Sequence, residues 1–99
     1  MSQSTIKQPQ ERYTMGFGFT GYLPAGATLS SGTVSAVRLD TGAADNSVLD
    51  SLALTISGDQ ALVRVKDGLD GVDYKLTFLV TLSNGDVLEE DLIVQVRNL

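Results

Sequence analysis

From Tyr13 the chain alternates with period two. Tyr13, Met15, Phe17 and Phe19 are separated by Thr14, Gly16, Gly18 and Thr20, which predicts a strand with three aromatics and a methionine on one face and small residues on the other. Small residues on that second face predict the close approach of another backbone. Gly21 to Gly26, with Pro24, breaks the run. Thr33–Leu39 predicts a second strand, and Asp40 to Ser47 follows as a loop of turn-forming residues. Leu52, Leu54 and Ile56 predict a third strand. It turns at Ser57-Gly58-Asp59-Gln60 into a fourth, with Ala61, Val63 and Val65 inward and Leu62, Arg64 and Lys66 outward. Asp67 to Asp73 is another turn segment. Tyr74, Leu76, Phe78, Val80 and Leu82 then form the cleanest alternation in the chain, and Leu88, Leu92, Val94 and Val96 mark a last strand.

The final hairpin has a parity to resolve. A two-residue Asn84-Gly85 turn would pair Val80 with Glu89 and Phe78 with Asp91. A three-residue loop Ser83-Asn84-Gly85, with Gly85 left-handed, instead pairs Val80 with Leu88 and Leu76 with Leu92, so the loop of three is expected. Glu90 stays out of pattern on the inward face, which suggests a second bulge near Glu89-Glu90. No stretch sustains a helical period. Short strands at regular spacing predict an all-β fold: an immunoglobulin-like antiparallel β-sandwich of six to seven strands over residues 12–99. Residues 1–11 are polar and almost without apolar content, and are expected as a flexible or partner-docked arm.

Composition narrows the chemistry. The 99 residues contain no cysteine and no histidine, which removes disulfides, thiolate metal sites, and Ser-His-Asp or Cys-His catalysis. Seven basic against twelve acidic side chains give a net charge of −5, and the basic residues are scattered singly, so nucleic acid is not an expected partner. No apolar run is long enough to span a bilayer, and the first residues have no secretory-signal pattern. No membrane partner, cofactor or metal is expected.

Three segments carry candidate chemistry. Leu39-Asp40-Thr41-Gly42-Ala43, continuing to Asn46-Ser47-Val48-Leu49, resembles the active-site signature of retroviral-type aspartic proteases. In those enzymes two such aspartates, one per subunit, share a proton and activate water. The late apolar-apolar-Gly-Arg element and C-terminal helix of that family are missing, however, and Asp-Thr-Gly is good turn chemistry by itself. The carboxylates of Asp67, Asp70 and Asp73, with interleaved glycines, suggest calcium by ligand type, but their spacing is not that of an EF-hand and a tight strand connection accounts for them. Glu89, Glu90 and Asp91 alternate faces on a strand, which suits a solvated edge better than a catalytic pair.

From Gly32 to Asn98 the chain resembles small immunoglobulin-like virion proteins of tailed bacteriophages of the fibre–tail adaptor type. The likeness rests on Thr33–Leu39, Ile56-Ser57-Gly58-Asp59, and Asp67 to Tyr74. It continues through Leu76–Thr81, Ser83-Asn84-Gly85-Asp86, Glu89–Leu92 and Val94-Gln95-Val96. The resemblance implies a non-catalytic structural protein of the virion, made and assembled in the host cytoplasm and present in several copies in a symmetric assembly. Its partners would be tail, neck or capsid proteins, and it would link fibres or other parts to the particle; capsid decoration is the alternative role. The first thirty residues fall outside the likeness. The aromatic stripe of Tyr13 to Phe19 reads as core, because aromatics carry the largest burial energy. If the first strand instead pairs with a neighbouring subunit, Ile6, Tyr13, Met15, Phe17, Phe19 and Tyr22 are the expected interface.

Overall fold

Alternating residues can bury one face only if a second sheet covers it, and two sheets do so here. The computed structural model describes residues 3–19 and 23–99. Seven strands occur in the order β1 (Gln3–Lys7), β2 (Tyr13–Gly18), β3 (Leu29–Arg38), β4 (Thr55–Ser57), β5 (Gln60–Val65), β6 (Asp73–Leu82) and β7 (Val87–Val96). They form a four-stranded sheet, β1-β7-β6-β3, packed on a three-stranded sheet, β2-β5-β4. The inward residues of β6 (Tyr74, Leu76, Phe78, Val80 and Leu82) are all buried, as are Ala61, Val63 and Val65 of β5. Phe17 meets Phe78 across the sandwich, edge to face, with ring centroids 5.7 Å apart.

The last hairpin takes the three-residue loop. Leu82 N–H donates to Asp86 O at 2.8 Å, Gly85 adopts φ +93°, and Val80 and Leu76 pair with Leu88 and Leu92. Apolar parity therefore outweighed the tighter Asn-Gly turn. No bulge follows. The β6–β7 register is continuous from Thr81↔Val87 to Asp73↔Gln95, and Glu90 occupies a half-buried inward position opposite Phe78.

Three other expectations are corrected. The sandwich is not wholly antiparallel, because β1 runs parallel to β7, with Gln3↔Leu92 through Lys7↔Val96. Residues 3–7 of the polar N-terminal segment are thus a sheet strand within the chain's own fold. The third strand is confined to Thr55–Ser57. Leu52 to Leu54 instead bond to the edge of β3, through Val34 N–H to Leu52 O at 2.9 Å and Leu54 N–H to Gly32 O at 3.0 Å. Finally, among the described residues no backbone fills the space beside the outward glycines of β2. The place of a Gly16 side chain is taken by Leu62, and none of the described residues lies beside Gly18.

Candidate docking surface

The expected interface residues do not share one surface. Tyr13, Met15, Phe17 and Phe19 do share the inward face of β2, but Phe17 and Phe19 are buried in the core with rings 5.0 Å apart. Burying a phenylalanine is worth roughly 1.5–3 kcal/mol, and side chains already inside offer nothing to a partner. Tyr13 and Met15 are half-buried at the rim. Burial raises the Tyr13 phenol pKa and nearby Glu11 adds to the rise, against a hydrogen bond with Thr5 of β1. Ile6 is exposed on the other sheet, and Tyr22 lies outside the described residues.

Asp40, Asp70, Asp73 and Asp91 are each engaged locally. Asp40 sits exposed in a turn and is gripped by Arg38, whose Nε and Nη2 donate at 3.0 and 2.7 Å. That hydrogen bond and the guanidinium charge hold its pKa below the usual carboxylate value, the wrong direction for a carboxyl that must share a proton. Thr41 Oγ1 accepts from Ala43 N–H, and Gly42 takes φ +76°, so the Asp-Thr-Gly segment performs its turn role. In the 67–73 loop the carboxylates diverge: Asp70 accepts from Asn98 N–H at 2.9 Å and Asp73 from Arg97 at 2.6 Å. Among the described residues no three acidic groups converge as a metal site would require. Asp91 points outward and accepts from Thr77 Oγ1 at 3.0 Å, while its neighbour Glu90 points inward.

The outer face of the four-stranded sheet can be read row by row from its register. Ile6, Gln95, Asp73 and Leu39 make one row, followed by Ser4, Ile93, Lys75 and Val37. Asp91, Thr77 and Ser35 come next, then Glu89, Leu79 and Thr33, then Val87, Thr81 and Ser31. Ile6, Leu39, Leu79 and Val87, four of the large exposed hydrophobic residues, lie on this face, each between 43% and 56% exposed. Threonine and serine fill the centre, with Lys75 between Ile93 and Val37 and the carboxylates of Asp91 and Glu89 in the next two rows. A broad, hydroxyl-rich face with apolar side chains standing out of it suits a protein partner.

The family model of the podophage GP4 fiber-tail adaptor protein gp77 matches residues 7–95. The chain belongs to this adaptor family. No curated protein matches it. The family is one of phage structural proteins, and the match runs from the end of β1 almost to the end of β7, across both sheets. Among the described residues of this adaptor, no helix is long and apolar enough to cross a membrane.

One feature of the adaptor had no signal in its sequence. Lys7, at the end of a polar segment, is buried: its ammonium donates to Gln8 O at 2.8 Å, to Pro9 O at 3.3 Å, and to Asp67 O. Burial lowers its pKa, partly offset by the charges of Asp67 and Glu11. Lys7 thereby ties β1 to the 67–73 loop. The same loop is held from the other side by Tyr74, whose hydroxyl accepts from Leu69 N–H at 3.1 Å. Asp67, at φ +52°, turns its carbonyl toward the lysine.

Proposed function

We propose that this chain is a non-catalytic, immunoglobulin-like adaptor of the virion that attaches to the tail or neck and links fibres to the particle. The family match over residues 7–95 carries the reading. The strand order β1-β7-β6-β3 over β2-β5-β4 supports the immunoglobulin-like part. So does Tyr74, which stands near the start of β6 with its hydroxyl bonded back to the chain, as in the tyrosine corner of such sandwiches. The absence of cysteine and histidine and the Arg38-bound state of Asp40 favour a structural over a catalytic role. The adaptor docks on other virion proteins through the outer face of the four-stranded sheet, Ile6 included, and works in several copies under the symmetry of the assembly. It is made and incorporated in the host cytoplasm and binds neither nucleic acid nor membrane.

The experiment is deletion of the gene followed by electron microscopy and protein counting in purified particles. Loss of fibres from otherwise complete tails, with about six or twelve copies in the parent particle, is the expected result. A parent particle carrying on the order of hundreds of copies, following capsid symmetry, would make it a decoration protein instead. Leu79→Asp, which changes an exposed side chain, should leave the melting temperature unchanged and reduce incorporation. Full incorporation of that variant would remove the outer face from the reading.

A further inference from the structure

The edges of the two sheets are unequally protected. An edge strand offers unpaired N–H and C=O groups to any extended chain, and proteins blunt it by brevity, charge, proline or cover. The outer edge of β3 is covered, by Arg38 N–H to Ala43 O, Asp45 N–H to Ala36 O and the two bonds from residues 52–54. β4 is only three residues long. β1 has five residues and ends in Lys7, with Pro9 beyond it. β2 has six residues, Tyr13–Gly18, without a charge or a proline, and among the described strands it pairs with β5 alone.

Two further observations mark the same edge. Tyr13 and Met15 point inward yet remain half-buried, whereas Phe17 on the same face is 4% exposed, so the core is incompletely covered along β2. The outward side of β2 is low, formed by Thr14, Gly16 and Gly18. The groove of about 340 Å³ lined by Thr14, Thr55, Leu62, Val63 and Arg64 lies over β5, on the paired side of β2. This end of the face is cationic in a chain of net charge −5. Arg64 and Lys66 share the carboxylate of Asp50, each at 3.9 Å, and exposed Arg12 immediately precedes β2.

We propose that the open edge of β2 receives a β-strand donated by a partner virion protein. The strand's apolar residues cover Tyr13 and Met15, and an acidic residue on its other face lies toward Arg12 and Arg64. Strand addition supplies affinity through main-chain hydrogen bonds, while alternate side chains supply selectivity. A second copy of β2 is the poorer occupant, because it brings no acid to these cations. The inference rests on the adaptor reading for the source of the strand, and it assigns a docking site separate from the outer face of the four-stranded sheet.

Deuterium exchange of residues 13–18 is measured in the free protein and in purified particles. The amides of β2 that point away from β5 should slow by about tenfold or more on assembly, while those of β4 do not. Met15→Lys, which sets a charge inward on the edge, should lower the copies per particle by about tenfold. Because Met15 is half-buried, Arg12→Glu with Arg64→Glu, both on exposed side chains, gives an independent reading: the same loss with an unchanged melting temperature. Unprotected β2 in particles that contain the protein, or full incorporation of the double variant, would overturn the proposal and leave the adaptor reading intact. A free protein that is already dimeric, with β2 protected, would assign the edge to self-pairing and overturn it as well. Absence of the chain from wild-type particles would instead remove the adaptor reading itself.

Discussion

Tyr74→Phe removes a single oxygen from the end of the sandwich that carries the 67–73 loop. The ring is fully buried, and its hydroxyl accepts the Leu69 N–H at 3.1 Å. Phenylalanine keeps the ring volume, so no cavity forms and the cost is that of the hydrogen bond. A net hydrogen bond is worth about 0.5–1.5 kcal/mol, and a buried donor left alone costs about 1–3 kcal/mol. Leu69 is 54% exposed and its hydrogen bond to Tyr74 only partly buried, so the penalty stays low in that range. The expected loss is about 1–1.5 kcal/mol, or roughly 5–10 °C in melting temperature for a domain of this size. The chain has no tryptophan, so urea unfolding is followed by far-ultraviolet circular dichroism. The midpoint should fall by roughly 0.5–1 M with an unchanged slope. Tyr74→Ala, which also empties the ring site, should cost about 3–5 kcal/mol. A Tyr74→Phe protein indistinguishable from the parent, or as weakened as Tyr74→Ala, would refute the assignment of the hydroxyl as the loop's anchor.

Gly68→Ala should cost about 2–3 kcal/mol, because an L-residue is strained at φ +103° and its Cβ would lie 2.8 Å from a buried Val96 methyl; Gly42→Ala, at φ +76° in open space, should cost about 1 kcal/mol. Equal thermal losses for the two would contradict this. Lys7→Met should cost about 2 kcal/mol by leaving carbonyls of Gln8, Pro9 and Asp67 without their donor, and should speed amide exchange across β1. Unchanged exchange in β1 would show that the lysine does not hold the strand. The carboxyls of Asp40 and Asp45 have lowered pKa values, the first through its hydrogen bond from Arg38 and the second through those from the Ser47 hydroxyl and amide. The unfolded chain therefore takes up protons first near 3.8, so stability is present above that pH and falls as the pH drops through the depressed values; a melting temperature that is flat or rises there would reverse the sign. Asp40→Asn should leave particle assembly and protein processing unchanged, and loss of a processing step in that variant would restore the protease reading.

Local alternation sufficed for the strands that form the core. Period two decides which side chain faces inward, so Tyr74 to Leu82 and Ala61 to Val65 declared their buried faces before any neighbour was known. The same parity selected the Ser83–Gly85 loop, because a two-residue turn would have set Glu89 opposite Val80 where Leu88 now stands, although Glu90 still lies opposite Phe78. The order of motifs from Gly32 to Asn98 was enough to suggest the adaptor type. Tertiary structure decided what alternation leaves open. Gln3–Lys7 carries only one apolar residue, and it is a strand because the edge of β7 accepts it and three carbonyls surround the Lys7 ammonium, one of them from Asp67, sixty residues away. Leu52 matches Leu54 in parity and both bond to the β3 edge, yet Leu52 is 48% exposed while Leu54 enters the core. The candidate docking face was the least legible part. Leu79 and Val87 each occupy an outward position and look like isolated exceptions along their own strands. They become one surface with Ile6 and Leu39 only when the register sets four strands side by side. Likewise the aromatic strip of β2 divides into core at Phe17 and rim at Tyr13 and Met15, because the facing sheet and the open edge, not the strip itself, set how much of each ring is covered.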